Sequence, residues 1–468
     1  MTFTFAQYDW PSYQGRKPFK HQKHTVEFQL DNPRAFVLNE MGTGKTMSTC
    51  WSVDILLRWK MISCVYVVAP LSILKSAWAR ELFFNMPHLK YAICHGTADY
   101  KKKVLAMAGH AIQIVIINPD GVRTMHDLLM RRSTRGRDLL VIDESTIYKS
   151  ANSDRTDKMM ELAQTFKGVW GMTGDVAPNK PTEAWSQARI VVPQNPLLPR
   201  YFGKFRDATM YQIDEYRWDV KDGAERLVAA IVQPSIRYAL RDCIDLPPTI
   251  ITDMEPEMTQ EQTDLYEKMK KELYFEVESG EVTAANAAVK LMKLVQIAAG
   301  SVKVDESTDH DIACGPSLEL LQRIYENTHT KKMVIVCAFK ASFRLLHSYA
   351  VKNGIKCGMI YGDIPVGQRD EYVEKLQRGD LNWLIIQPQA AAHGLTLTAA
   401  DHLVWWTLVP SNELYKQTNA RIVRPGQANI QNIIRFIRSP AEKHIANILE
   451  KKGDFSSAAL DLLKTRQL

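Results

Sequence analysis

A chain of 468 residues has room for roughly two to four domains, each able to bury its own core, and 46% hydrophobic against 24% charged residues is an ordinary globular balance. No apolar run reaches the roughly eighteen residues of a membrane-spanning helix, and Met1–Gln7 lacks a charged-then-apolar leader pattern. Seven scattered cysteines without a Cys-x-x-Cys pair argue against a disulfide framework or a zinc site, and a net charge of +7 suits a polyanionic partner without requiring one. An intracellular protein without membrane association is expected.

The first residues are aromatic (Tyr8, Trp10, Tyr13) and lead into Lys17–Gln22 and a helix. The apolar run Ala35–Leu38 reads as a buried strand. It is followed by Asn39-Glu40-Met41-Gly42-Thr43-Gly44-Lys45-Thr46, then a helical pattern from Thr46 to about Arg58. Strand, glycine loop and helix in that order form a phosphate cradle. Gly42 and Gly44 allow the tight turn, Lys45 supplies a point charge, and the Thr46 hydroxyl can bind Mg²⁺. The literal pattern wants Gly where Asn39 stands, and a chance turn followed by a surface lysine is the alternative. Gln22 is near enough to fold back over a base held by this loop.

Apolar runs at Ser63–Ala69, Tyr91–Cys94, Ile112–Asn118, Leu139–Asp143 and Gly168–Thr173 alternate with helical or polar stretches, the pattern of a parallel sheet covered on both faces. Polar residues fall at the strand ends where such sheets bind ligands: Pro70 to Ser72, Asn118 to Asp120, Asp143-Glu144 and Thr173-Gly174. From about Pro193 to Gly300 the chain reads as helix-rich, without regular strand alternation, and Ala284–Ala299 reads as one amphipathic helix. Asp242–Pro248, ending in two prolines, is the expected hinge. A second set of strands follows at Met333–Phe339, Lys356–Tyr361, Trp383–Gln387, His402–Trp406 and Ile430–Ile437, with a helical tail from Ala441.

Leu139–Glu144 is an apolar strand ending in two carboxylates about a hundred residues after Lys45. A phosphate-loop ATPase needs an acid there for Mg²⁺ and a second for the attacking water, so Asp143 is assigned to the metal and Glu144 to the water. Arg421 and Arg424, three apart, would share one face of a helix. They read either as arginine fingers toward a γ-phosphate or as a solvated or nucleic-acid-binding basic face. The run Arg131–Arg137 is a further basic cluster, left unassigned.

These segments together resemble the Swi/Snf branch of superfamily 2 helicase-type ATPases. Asn39–Thr46 resembles that branch's Asp-Glu-Met-Gly-x-Gly-Lys-Thr, and Ala69–Ser72 with Trp78 and Glu81 is similar to its motif Ia. Ile116–Pro119 sits at motif Ib. Asp143–Thr146 with Lys149 and Ser150 resembles the Asp-Glu-x-His box, and Thr173-Gly174 with Pro178-Asn179 resembles motif III. Arg237–Pro248, Val334–Phe339, Tyr361-Gly362 with Arg369, Ala391–Leu397 and Gln417–Gln427 follow collinearly. Departures are Asn39 for Asp, Thr146 for His, Asp175-Val176 for Thr-Pro, Ala420 for Gly and His393 in the motif V loop. None removes Lys45, Asp143, Glu144 or an arginine finger.

The resemblance implies an α/β protein of two tandem RecA-like lobes, parallel sheets covered by helices, with helical insertions. The expected boundaries are 1–241 for the ATP-binding lobe, 242–305 for hinge and connection and 306–468 for the second lobe. It implies ATP and Mg²⁺ as ligands, with Gln22, Met41, Gly42, Thr43, Gly44, Lys45, Thr46 and Gln417 on the nucleotide and Asp143, Glu144, Arg421 and Arg424 on the chemistry. It implies backbone contacts to double-stranded DNA, independent of sequence, from Leu71, Ser72, Asn118, Phe339, Lys340 and Thr396. A DNA translocase working as a monomer is the expected function. A strand-separating helicase on forks or single strands, an RNA-dependent ATPase and a non-enzymatic DNA-binding module remain the alternatives. A compact motor without appendages points to a bacterial or phage source.

Overall fold

The apolar runs of the first half assemble into one parallel sheet in the order β3-β4-β2-β5-β6-β1-β9. Its strands are β1 (Arg34–Val37), β2 (Cys64–Val68), β3 (Tyr91–Ile93), β4 (Ile114–Ile117), β5 (Asp138–Asp143), β6 (Gly168–Met172) and β9 (Ser235–Ile236). β2, β4 and β6 are buried along their whole length, which is why they read as unbroken apolar runs. In this computed structural model the described residues are 8–15, 17–133, 137–213, 218–243, 247–278, 284–303, 309–391, 395–424, 427 and 429–451. The chain divides into two compact units, Met1–Asp245 and Leu246–Leu468.

The second unit holds another parallel sheet, ordered β10-β17-β16-β13-β15-β14. Its strands are β10 (Thr249–Met254), β13 (Met333–Val336), β14 (Cys357–Ile360), β15 (Trp383–Ile386), β16 (His402–Trp405) and β17 (Gln431–Phe436). Apolar cores line both faces of each sheet. Each unit thus has the RecA-like form expected from the sequence. Two antiparallel hairpins complete the strands, β7 (Met210–Gln212) with β8 (Trp218–Val220) and β11 (Ser301–Lys303) with β12 (Asp309–Asp311). Among the described residues no helix is long and apolar enough to cross a membrane.

One expectation is corrected. The stretch from Pro193 to Gly300, read as helix-rich without regular strand alternation, supplies β7, β8, β9 and β10. These strands are short or lie at a sheet edge. Five of the six β10 residues are exposed, so no buried apolar run marks it. Ala284–Ala298 does form one helix, and the C-terminal helix Pro440–Lys451 packs Ala441, Ile445 and Leu449 into the core. The tail beyond it lies outside the described residues, as do residues 244–246 of the expected hinge.

A fully buried ion pair ties the second unit together. Arg438 Nη1 donates to Glu442 Oε1 and to the Trp406 carbonyl, both at 2.8 Å, and its Nε donates to Ser317 Oγ at 2.8 Å. The guanidinium lies 4.4 Å from the Trp406 ring. Burial pushes the Glu442 carboxyl upward and Arg438 opposes that shift. Truncating one partner leaves a dry charge, so Arg438→Ala should cost about 3–5 kcal/mol, whereas the apolar pair Arg438→Met/Glu442→Leu should be nearly neutral. Urea unfolding of the three proteins checks both outcomes.

Candidate active site

The glycine loop after β1 is shaped by its own backbone and clamped by the helix that precedes the strand. Gly42 and Gly44 adopt φ of +83° and +82°, a region that favours glycine. Gly44 caps the helix Lys45–Arg58. From the helix Lys20–Asp31, Gln22 Nε2 donates to the Thr43 carbonyl at 3.3 Å, and the His21 ring bonds the same oxygen at 2.8 Å. A Cβ on Gly44 would stand 2.2 Å from Gln22 Nε2, so a larger residue there would displace the Gln22 amide as well as strain the backbone. Gln22 Oε1 also accepts from the Phe19 N–H at 3.0 Å. Lys45, nearly buried, donates from Nζ to the Asn39 carbonyl at 2.7 Å. Met41 and Thr46 are half-buried.

Asn39 proves to be a structural choice. Its Nδ2 donates to Thr25 Oγ1 at 2.9 Å, while its Oδ1 accepts from the Tyr238 N–H at 3.0 Å. The Thr25 hydroxyl already donates to the His21 carbonyl at 2.8 Å, so it can only accept from residue 39. Glycine would make neither bond, and an aspartate would set a carboxylate against an oxygen lone pair. The amide has both functions that the position needs.

Asp143 ends β5 in register with Met172 of β6, which also pairs with Val37 of β1, so it stands at the same sheet edge as the glycine loop. The π-helical turn Leu74–Ala79 brings the buried Trp78 indole to Asp143 Oδ2 at 2.7 Å. Burial, reinforced by the Glu144 charge, pushes the Asp143 carboxyl up to about 6, against the pull of the indole and of the Lys45 ammonium. Glu144 follows at φ +52°, half-buried, in a conformation uncommon outside glycine.

From this acidic turn a link runs to motif III. Ser145 Oγ donates to Gln187 Oε1 at 2.7 Å, and Gln187 Nε2 donates to the Val176 carbonyl at 2.7 Å and to the Glu183 carbonyl at 2.8 Å. On the same helix, Glu183–Val191, Ser186 Oγ donates to the Tyr148 carbonyl at 2.6 Å, and Lys149 lies 3.6 Å from Glu183. Glu183 also accepts from Asn179 Nδ2 at 3.0 Å. Sequence reasoning missed Gln187, because a lone helical glutamine carries no motif. It also took Trp78 only as a marker of motif Ia.

In the second unit the helix Asn412–Asn419 stops before Arg421 and Arg424, which lie in the following turn and not on one helical face. Pro425 disfavours helix at the residue before it. The Arg421 guanidinium is buried, with Nε donating to the Gln417 carbonyl at 3.0 Å and Nη1 to the Leu395 carbonyl at 3.4 Å. Arg424 donates from Nε to the Ala420 carbonyl at 3.0 Å and from Nη1 to Thr396 Oγ1 at 2.9 Å. Desolvation pushes Arg424 down to about 10, which leaves it charged at neutral pH. Thr396 and Lys340 are exposed, and Lys340 pairs with Asp363 at 2.8 Å. Phe339 caps the helix Lys340–Lys352 and is half-buried. In the first unit, Leu71 is exposed, Ser72 is half-buried, and Asn118 is buried as the N-cap of Pro119–Thr124. Residues 392–394, with His393, lie outside the described residues.

The SNF2-related domain matches residues 21–300, more than half of the chain, and the helicase conserved C-terminal domain matches residues 316–426. The chain belongs to the SNF2-related family. It is similar to protein p41 of Acyrthosiphon pisum secondary endosymbiont phage 1, 23% identical across 96% of this chain and 97% of that protein. The DNA annealing helicase and endonuclease ZRANB3 of Homo sapiens is 24% identical across 94% of this chain, and the uncharacterized ATP-dependent helicase MG018 of Mycoplasma genitalium is 23% identical across 94%. This SNF2-related chain spans only 40% and 42% of those two longer relatives. The Sulfolobus solfataricus SWI2/SNF2 ATPase core in complex with dsDNA aligns over 99% of this chain and 97% of that one, at 20% identity and a TM-score of 0.45.

The perturbed carboxyl has a stability consequence. Asp143 ordinarily ionises at 3.8 and is raised to about 6 in the fold, so its favourable contribution is present below the unfolded value and is lost as pH rises through about 6. Asp143→Asn removes the charge but keeps an acceptor for Trp78. The ligand-free variant should therefore be more stable than the parent above about pH 7, by on the order of 2–3 kcal/mol, and equal to it near about pH 4. Chemical unfolding at the two pH values measures the difference.

Proposed function

We propose that this protein is a DNA-dependent ATPase that moves along double-stranded DNA without reading its sequence. The observation that carries the reading is the buried Asp143, within electrostatic reach of Lys45, at the sheet edge from which the glycine loop emerges. Family membership and the name of the human relative support DNA as the track. In this reading residues 1–241 bind ATP, 242–305 connect, and 306–468 form the second lobe of a motor that works as a monomer.

The loop between Gly42 and Lys45 offers backbone N–H groups to phosphate oxygens, and Lys45 exchanges its bond to the Asn39 carbonyl for one to a phosphate. The Thr46 hydroxyl and the Asp143 carboxylate form an oxygen donor set suited to Mg²⁺, which when bound neutralises charge on the β- and γ-phosphate oxygens. Glu144 takes a proton from water as the water oxygen bonds to the γ-phosphorus and the bond to the β,γ-bridging oxygen breaks, yielding ADP and phosphate. Arg421 and Arg424 supply guanidinium charge to the developing oxyanion, and Gln417 and Gln22 contact the nucleotide. Leu71, Ser72, Asn118, Phe339, Lys340 and Thr396 meet the DNA backbone, Lys340 after release from Asp363.

ATP hydrolysis measured against duplex, forked, single-stranded DNA and RNA tests the substrate, with duplex expected to stimulate most. Lys45→Ala should lose activity, and a parental rate in that variant would sink the site. Glu144→Gln should keep nucleotide affinity and lose roughly 10²–10⁴-fold in kcat. Because Gln187 bridges Ser145 to the Val176 carbonyl, Gln187→Ala should lower the stimulation by DNA while leaving the unstimulated rate and nucleotide affinity intact; unchanged stimulation would remove Gln187 from the coupling path.

A further inference from the structure

The function above leaves the basic run at Arg131 unused, and its surroundings are more strongly charged than any motif implies. Between Ala98 and Asp138 the chain carries eight lysines and arginines against four aspartates, a net +4 out of the chain's +7. The helices Ala98–Met107 and His126–Ser133 border a groove of about 710 Å³ that Lys102, Arg123, Arg131 and Lys158 line, with Asp127 as its only acid. His126 forms part of the wall, buried and bonded to the Lys158 carbonyl at 3.1 Å, with Glu161 at 3.5 Å.

Two of the cations, Lys102 and Lys158, meet the protein's own acids only in exposed pairs. Lys102 stands 4.0 Å from Asp99 and is largely solvent-facing, and Lys158 meets Asp154 at 3.3 Å across a solvent-exposed turn. Such surface pairs are worth little and can be exchanged for phosphate. Four cations from four helices converge on one concavity, a form that follows a polyanion backbone and not a single small anion. Thr124, the last residue of the helix that Asn118 caps, and Met125 after it also line the groove.

We propose that this groove is a second binding surface for the phosphate backbone of duplex nucleic acid, separate from the contacts at the strand ends. It holds DNA by charge alone and raises the affinity of the motor for its track without entering the chemistry. The inference rests on the DNA-motor reading. Neutralising Z phosphates gives a log–log salt slope of about −0.9 per phosphate.

The test uses Lys102→Glu/Arg131→Glu in the full chain. Duplex binding by fluorescence anisotropy across a salt series should show a slope shallower by about 2. The DNA concentration for half-maximal ATPase should rise roughly tenfold or more at low salt, with the rate at saturating DNA unchanged. The neutral pair Lys102→Gln/Arg131→Gln must move the slope in the same direction, which separates lost contacts from a misfolded surface. A parental slope in both variants overturns the groove while leaving the motor reading intact. A parent that binds no duplex at any salt overturns the motor reading, and the groove with it.

Discussion

The fold of the first unit turns on one amide. Asn39 joins three segments distant in sequence: the helix that carries Gln22, the glycine loop and the chain leaving β9 at Tyr238. Because its donor and acceptor point to opposite sides, it fixes the loop's entry while the Thr43 carbonyl, held by His21 and Gln22, fixes the next turn. The residue so held, Thr43, sits between the two left-handed glycines, Gly42 and Gly44. The loop's shape is thus held by the protein's own hydrogen bonds, and a loop already ordered leaves little ordering entropy to oppose binding.

Against that rigidity the site stores a cost. Asp143 is a carboxyl forced into a dry position beside a second acid, with an indole and an ammonium as partial compensation. A group ordered only for stability would not be placed so. The second unit shows the opposite arrangement, a charge pair equally buried but satisfied on nearly every side by Trp406, Ser317 and Glu442. The contrast is between a buried charge whose partners are built into the fold and one that burial holds above its ordinary ionisation range.

Much of this was legible in the residues. Strands such as Val65–Val68 and Ile114–Ile117 are buried on both faces and announce themselves as apolar runs, and the glycine loop and Asp143-Glu144 follow from the chemistry of phosphate. β9 and β10 were hidden because an edge strand needs no continuous apolar stretch. The turn holding Arg421 and Arg424 was misread as helix because spacing alone cannot see that the helix ends at Asn419, whose Oδ1 accepts from the Trp405 indole N–H at 2.9 Å. Gln187 was invisible for a different reason: its role exists only through partners that are far away in sequence.

The bridge from Ser145 through Gln187 to Val176 is made of a hydroxyl, a carboxamide and a peptide carbonyl, none of which gains or loses a proton in the physiological range. The hydrogen bonds that run from Ser145 through Gln187 to the Val176 carbonyl are thus uncharged, while Lys149 and Glu183 form a charged contact beside them. The bridge therefore has no titratable member of its own, although it starts two residues from an Asp143 carboxyl raised to about 6.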